Sequence, residues 1–358
     1  MSSVKKYKFE PDYAVPPGAS LKEAMEVLDM TQRELALRTG LTVQTLNRIF
    51  KGEQPISYDT ANRLELVTGT PANFWNNLEA QYREQLAKLD ERKRLETDLK
   101  WLKTIPTKEL IDRGILNSDS SKVELLRETL GFYGVSSVNA WNDIWEIPAV
   151  AARRSDCFES QPGPASAWIR QGELQAHDIE CHPYDKSRFE KNIETIRSLT
   201  RTSSEVFQHE MKQLCAEAGV AVAFVKEMKK VPWCGATKWL SPRKAMILLS
   251  LRGKGSDIFW FSFFHEAGHV LHDGRKDLLI NDASKDDPRE VRADRFAADF
   301  LIPPKYDTEI KSYRSKKEVV SLSDKLGISP SIVAGRYRHL TKKWHYFKDL
   351  TTPLKIMT

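Results

Sequence analysis

The stretch Phe261-Ser262-Phe263-Phe264-His265-Glu266-Ala267-Gly268-His269-Val270-Leu271-His272 constrains this chain more than any other. Read as a helix, it places His265 and His269 on one face about a turn apart. Two imidazoles at that spacing can grip one cation. The carboxylate beside them, Glu266, is placed to take a proton from water rather than to bind the ion. With 8 histidines in 358 residues, composition alone produces such a pattern in roughly one chain in a hundred. The aromatic and aliphatic flanks suit a buried helix under a cleft. The bland alternative is a core helix that happens to carry histidines, and a third ligand decides between the two.

That ligand is expected on a following helix. Asp287-Pro288 marks a helix start, and Arg289 to Phe300 keeps helical periodicity, with Glu290 and Asp294 four apart on one face. Glu290 is the expected third ligand, and Asp294 the acceptor for the free N–H of a ligating imidazole, which fixes its tautomer. His272, Asp273, Asp277 and Asp282 lie nearer in sequence. On a straight helix, however, His272 stands about 10 Å beyond His265, too far to share one ion. Zn2+ on His265, His269 and Glu290, with Glu266 as general base, is metallopeptidase chemistry. Tyr306, Tyr337 and His339 are candidates for steadying an oxyanion.

Before the histidines, Gly219 to Val225 and Ala245 to Ser250 read as strands, separated by Gly235 and a turn at Pro242. Strand addition is a sound way to hold an extended peptide, so Ala245 to Leu251 is the expected substrate edge.

From Ser20 to about Asp90 the chain reads as successive short helices. Thr31-Gln32-Arg33-Glu34 has the form of a capping box. Gly40 supplies a turn, Leu41 plugs the core, and Thr42 caps a second helix whose Leu46 and Ile49 return inward. This is a helix-turn-helix pattern. Val43, Gln44, Thr45, Asn47 and Arg48 are the outward residues that would enter a major groove, with Gln44 suited to adenine, Arg48 to guanine and Val43 to a thymine methyl. Gln32, Thr42 and Lys51 are placed for phosphates. A small helical interaction domain with a solvated face is the plainer alternative. Thr70-Pro71 would open a further helix, with Phe74, Trp75 and Leu78 as its apolar face.

Beyond it, Gln81 to Lys103 is a charged, solvated helix or linker. Residues 104–156 look helical, with Trp141 and Trp145 as a packing pair. Gln161-Pro162-Gly163-Pro164 is the expected domain boundary, followed by a helix-rich stretch to Ala218. Near the end, Leu322 to Ser329 repeats the logic of Leu35 to Thr42, so a second helix-turn-helix-like unit is expected, either contacting nucleic acid or roofing the preceding domain.

Hydrophobic residues at 41% and charged residues at 29% are ordinary for a soluble protein, and the length allows two or three domains. A net charge of +6 permits nucleic-acid binding without establishing it. Cys157, Cys181, Cys215 and Cys234 form no C-x-x-C pair, so neither a disulfide framework nor a cysteine zinc site is indicated and reduced thiols are expected, and the adjacent Cys181-His182 reads as structural. No apolar run approaches the roughly 18 residues of a membrane span, and Ser2 to Glu10 lacks a signal-peptide core, so a cytoplasmic location is expected.

Two resemblances follow. Leu21, Thr31 to Ala36, Asn47-Arg48-Ile49, Lys51-Gly52 and Thr70 to Leu78 resemble the XRE superfamily, more narrowly the HigA-type antitoxin domain. His265 to His272, Glu290 with Ala293 to Pro303, Gly235 to Leu240 and Ile328 to Tyr337 resemble the ImmA/IrrE family of metallopeptidases, in the longer members that carry a HigA-type domain. The departure is Ala267, where relatives have a bulky aliphatic residue; the ligand positions are untouched. The resemblance implies a homodimer on operator DNA and a regulator that switches gene expression by cutting a repressor or related protein. The other reading it allows is an antitoxin-like repressor with a toxin partner and an idle protease domain.

The expected architecture is therefore mainly α with a small β-sheet: an all-α helix-turn-helix domain at 1–90, a helical linker at 91–164, an α+β zincin-like metallopeptidase core at 165–310, and a helix-turn-helix-like subdomain at 311–358.

Overall fold

A computed structural model describes residues 11–146, 161–251, 255–274, 278–280 and 287–355. The chain is mainly helical with one small sheet, and divides into two compact units, Met1–Leu99 and Lys100–Thr358.

The described residues of the first unit hold five helices: α1 (Gly18–Val27), α2 (Gln32–Thr39), α3 (Val43–Phe50), α4 (Tyr58–Thr68) and α5 (Ala72–Asp98). Leu21, Leu35, Leu46, Ile49, Leu64 and Trp75 meet in its core. The capping box expected at α2 is half formed. Thr31 accepts the Glu34 amide, but the Glu34 carboxylate pairs with Arg38, one turn on. Gly40 ends α2 in the left-handed region at φ 68°, where a side chain would be strained. Thr70 does not cap α5. Glu65 Oε2 takes the free Ala72 amide at 2.5 Å, while the Thr70 carbonyl accepts the Trp75 indole N–H. The expected boundary near residue 90 falls inside α5, whose 27 residues run on to Asp98, so the charged stretch is one continuous helix.

In the second unit a four-stranded sheet runs in the order β1 (Val220–Phe224), β3 (Lys244–Leu249), β2 (Gly235–Ser241), β4 (Leu278–Ile280). β1 is parallel to β3, and β2 is antiparallel to both β3 and β4. β1 and most of β3 are buried, as expected of strands covered on both faces. The helix Ser256–His272 packs on one face and the helix Pro162–Asp178 on the other. Gly172 of the latter sits so close to Leu248 that a methyl group there would meet it at 2.7 Å. The Gln161 to Pro164 run therefore opens a helix inside this unit rather than separating domains.

Trp141 and Trp145 are both buried, but each packs on Tyr133, and Trp141 also on Trp101, in place of the expected mutual pair. The C-terminal helices Lys316–Leu326 and Pro330–Thr341 share the core of the histidine helix through Val319, Leu322, Ile332 and Val333. The start of the second is buried at Ser331, and the Ser329 amide donates to Thr200 Oγ1. An end so covered cannot enter a groove, so this pair roofs the domain. Cys181 and Cys215 are free thiols, and Cys157 lies outside the described residues. Among the described residues, no helix is long and apolar enough to cross a membrane.

Candidate metal centre and nucleic-acid interface

The helix Ser256–His272 is buried along almost its whole length, so His265 and His269 face protein rather than water. It crosses the helix Pro288–Leu301 at Gly268. A Cβ on that glycine would stand 3.0 Å from Phe296 and 3.4 Å from the Ala293 backbone, so the glycine sets how closely the helices approach. Asp287 caps the second helix by accepting the Arg289 amide, and Pro288 occupies its first position. These local devices bring Glu290 against the two imidazoles.

His265 Nε2 and His269 Nε2 lie 3.0 Å apart, His265 Nε2 is 3.1 Å from Glu290 Oε2, and His269 Nε2 is 3.2 Å from Glu290 Oε1. All three side chains are buried. The outer nitrogens are also engaged: His265 Nδ1 with Asp294 at 2.8 Å and His269 Nδ1 with Asp273 at 2.6 Å. An Nδ1–H donated to a carboxylate leaves Nε2 as a bare lone pair. Two such lone pairs and a carboxylate then converge on one point.

The electrostatics agree. Burial disfavours a charged His265 ring, yet Asp294, Glu290 and Glu266 outweigh it and carry its pKa up to about 10. His269 is also raised, with burial opposed by Glu290 and Glu266. Burial would raise Glu290, but hydrogen bonds with both histidines hold it low. The pocket calls for positive charge, and a dication is the species this N, N, O donor set fits.

Glu266 is fully buried, and burial lifts its pKa to about 6 against the pull of His265, His269 and Thr237. Thr237 Oγ1 donates to Oε2 at 2.7 Å, while Oε1 has no hydrogen-bond partner among the described residues. An orphaned buried carboxylate oxygen beside three converging donors is where a reacting water would sit.

Of the nearer rivals, His272 is exposed and rests on Phe296, with ring centroids 5.3 Å apart. Asp273 serves His269 and pairs with Arg292. Sequence reasoning had weighed Asp273 only as a metal ligand. Its place four residues after His269 on the same helix was the available signal for the role it takes. Asp277 and Asp282 lie outside the described residues. Tyr337 is buried against Phe347, and Tyr306 lies beneath Lys305 and Lys325. His339 is exposed, and partial desolvation, Lys342 and Arg336 lower its pKa against the pull of Asp294 and Asp307.

The expected substrate edge is overturned. β3 lies between β1 and β2 and bonds to both, so Ala245 to Leu251 offers no free edge there. The strand that touches Glu266 is β2, whose Gly235 to Leu240 run carries part of the family resemblance but was not expected as a strand. Its Gly-Ala-Thr-Lys-Trp-Leu-Ser run lacks the apolar density of a buried strand.

In the first unit, α3 begins at Thr42, whose hydroxyl accepts the Thr45 amide at 3.0 Å and lies 2.9 Å from the Thr45 hydroxyl. Val43, Gln44, Asn47, Arg48 and Lys51 are exposed, and Thr45 is half-buried. Gln32 donates to the Val43 carbonyl and to Asn47 Oδ1, tying the start of α2 to α3. Gln32 and Asn47 thus hold one another, whereas Gln44 and Arg48 project from the outer face.

Residues 21–75 match the family model described as helix-turn-helix. Residues 235–338 match a peptidase family model described as the IrrE N-terminal-like domain. The chain is similar to three solved structures. The antitoxin HigA of Pseudomonas aeruginosa with the higBA promoter is 30% identical over 24% of this chain and 94% of that one, TM-score 0.22. PA4674 of Pseudomonas aeruginosa in complex with its operator DNA is 32% identical over 21% and 82%, TM-score 0.20. An addiction module antidote protein of a HigA family from Coxiella burnetii is 32% identical over 24% and 92%, TM-score 0.22. No curated protein matches the chain. The helix-turn-helix model thus falls on the first unit, and the IrrE N-terminal-like peptidase model on the part of the second that holds β2, both histidines and Glu290.

Proposed function

We propose that this chain is a cytoplasmic DNA-binding regulator whose second unit is a zinc-dependent endopeptidase acting on a repressor or related regulatory protein. One observation carries the reading: two imidazoles, with both Nδ1 atoms already engaged, converge with Glu290 beside a base whose Oε1 is unpartnered.

His265, His269 and Glu290 would hold the ion, and the chemistry a zinc ion supplies there is Lewis-acid activation of water and of the scissile carbonyl. Asp294 and Asp273 keep the two imidazoles in the ligating tautomer. Glu266 Oε1 accepts a proton from the attacking water as the C–O bond forms, then returns it to the departing amide nitrogen as the C–N bond breaks. One water is consumed, and one carboxylate and one amine result.

The first unit would present Val43, Gln44, Thr45 and Arg48 to base edges, with Gln32, Thr42, Asn47 and Lys51 buttressing α3 and the phosphate contacts, and a homodimer would match a palindromic operator. The antitoxin reading, an operator-bound repressor with a toxin partner, draws on the first unit alone and leaves the converging donors without a purpose.

The test is metal analysis of the purified protein together with Glu266→Gln. The expected result is about one zinc per chain in both, with cleavage of a candidate repressor lost in the variant. A wild type without zinc ends the enzyme reading.

A further inference from the structure

Side chains alternate along a strand, so Gly235 and Thr237 of β2 face the same way, and their partners Leu249 and Ile247 belong to the core of the histidine helix. Both residues therefore meet Glu266, and they meet different oxygens. Thr237, buried at 1% exposure, has its hydroxyl 2.7 Å from Oε2 and 3.2 Å from the Glu266 carbonyl oxygen. A hydroxyl has one proton to donate, and the shorter, charge-assisted contact to the carboxylate is the stronger. Gly235 sits over Oε1: a Cβ there would stand 2.5 Å from that oxygen and 2.8 Å from Cγ. Space, not backbone conformation, requires this glycine.

The last torsion of a glutamate is soft and nearly two-fold, so a carboxylate without an external hold turns freely and offers either oxygen. We propose that Thr237 and Gly235 together position Glu266: the hydroxyl pins Oε2, and the missing side chain keeps Oε1 open, so that one defined oxygen takes and returns the proton. The proposal rests on the reading of Glu266 as the base. A threonine that merely satisfied a buried carboxylate would not need an empty cradle over the other oxygen. Neither residue binds the ion, and both act through Glu266.

The test uses the full chain loaded with zinc and labelled with 13C at the glutamate carboxyl carbons. Glu266→Gln assigns the Glu266 signal by its loss. Thr237→Ser keeps the donor and should leave the signal in place, whereas Thr237→Val removes the donor at nearly the same volume and should shift or broaden it. Each variant should retain about one zinc per chain. On peptides that the wild type cleaves, Thr237→Val should lower kcat about tenfold with KM unchanged, and Thr237→Ser should restore it. A Glu266 signal unmoved by Thr237→Val, an undiminished kcat, or a serine variant as altered as the valine variant overturns the proposal. A wild type that takes up no zinc overturns the metal reading instead, while the same spectra still show whether the hydroxyl holds the carboxylate.

Discussion

His265 and His269 owe their orientation to two carboxylates of unlike setting. The Asp273 side chain is 2% exposed and that of Asp294 57% exposed. Water can replace a lost Asp294 contact, but little can replace Asp273, which also holds Arg292. Asp273→Asn should therefore weaken zinc binding by about 10- to 100-fold and Asp294→Asn by less, read by chelator competition. Equal affinities in both variants and the wild type would remove these residues from the site. Glu290 shows the residue-scale limit of sequence reading. Its type and helical spacing made it the expected ligand, but its approach to Nε2 atoms 21 and 25 residues earlier is set by a helix crossing.

At the scale of elements, that crossing depends on Gly268 lying against Ala293 and Phe296. Gly268→Val would force the helices apart, so it should destabilise the second unit by about 1–3 kcal/mol and abolish zinc uptake, measured by chemical denaturation and metal content. A variant that keeps both would mean that the crossing is not what assembles the site. The histidine helix, the glutamate helix, α2 and α3 were legible because periodicity, caps and a turn glycine agree locally. β2 was not, because Thr237 and Lys238 lie in a strand whose identity depends on pairing with β3. The substrate edge failed for the same reason. Strand order is a non-local property, and Ala245 to Ser250 reads alike at an edge or in the middle.

At the scale of the whole molecule, the proposed DNA-reading face and the proposed metal centre lie in different compact units. Arg48→Ala should weaken specific operator binding by about 1–3 kcal/mol while leaving zinc content unchanged, and Glu266→Gln should leave operator affinity unchanged. Binding assays on both variants check this, and unaltered operator affinity in Arg48→Ala would remove Arg48 from the reading face. Zinc at about 100 times its Kd should add about 2.7 kcal/mol to the second unit. Calorimetry should then show one transition rising and the other fixed. A uniform rise of both would mean that the units unfold as one.

The sequence by itself determined the donor types, the four-residue spacings on two helices and the capped pair that presents α3, because each is settled by contacts within a turn or two of chain. Only the tertiary structure decided that Thr237 and Gly235 meet opposite oxygens of Glu266, and that the C-terminal helix pair is a roof. Those pairings join segments far apart in sequence. They follow from how a buried sheet and two crossing helices pack, and no local pattern encodes that.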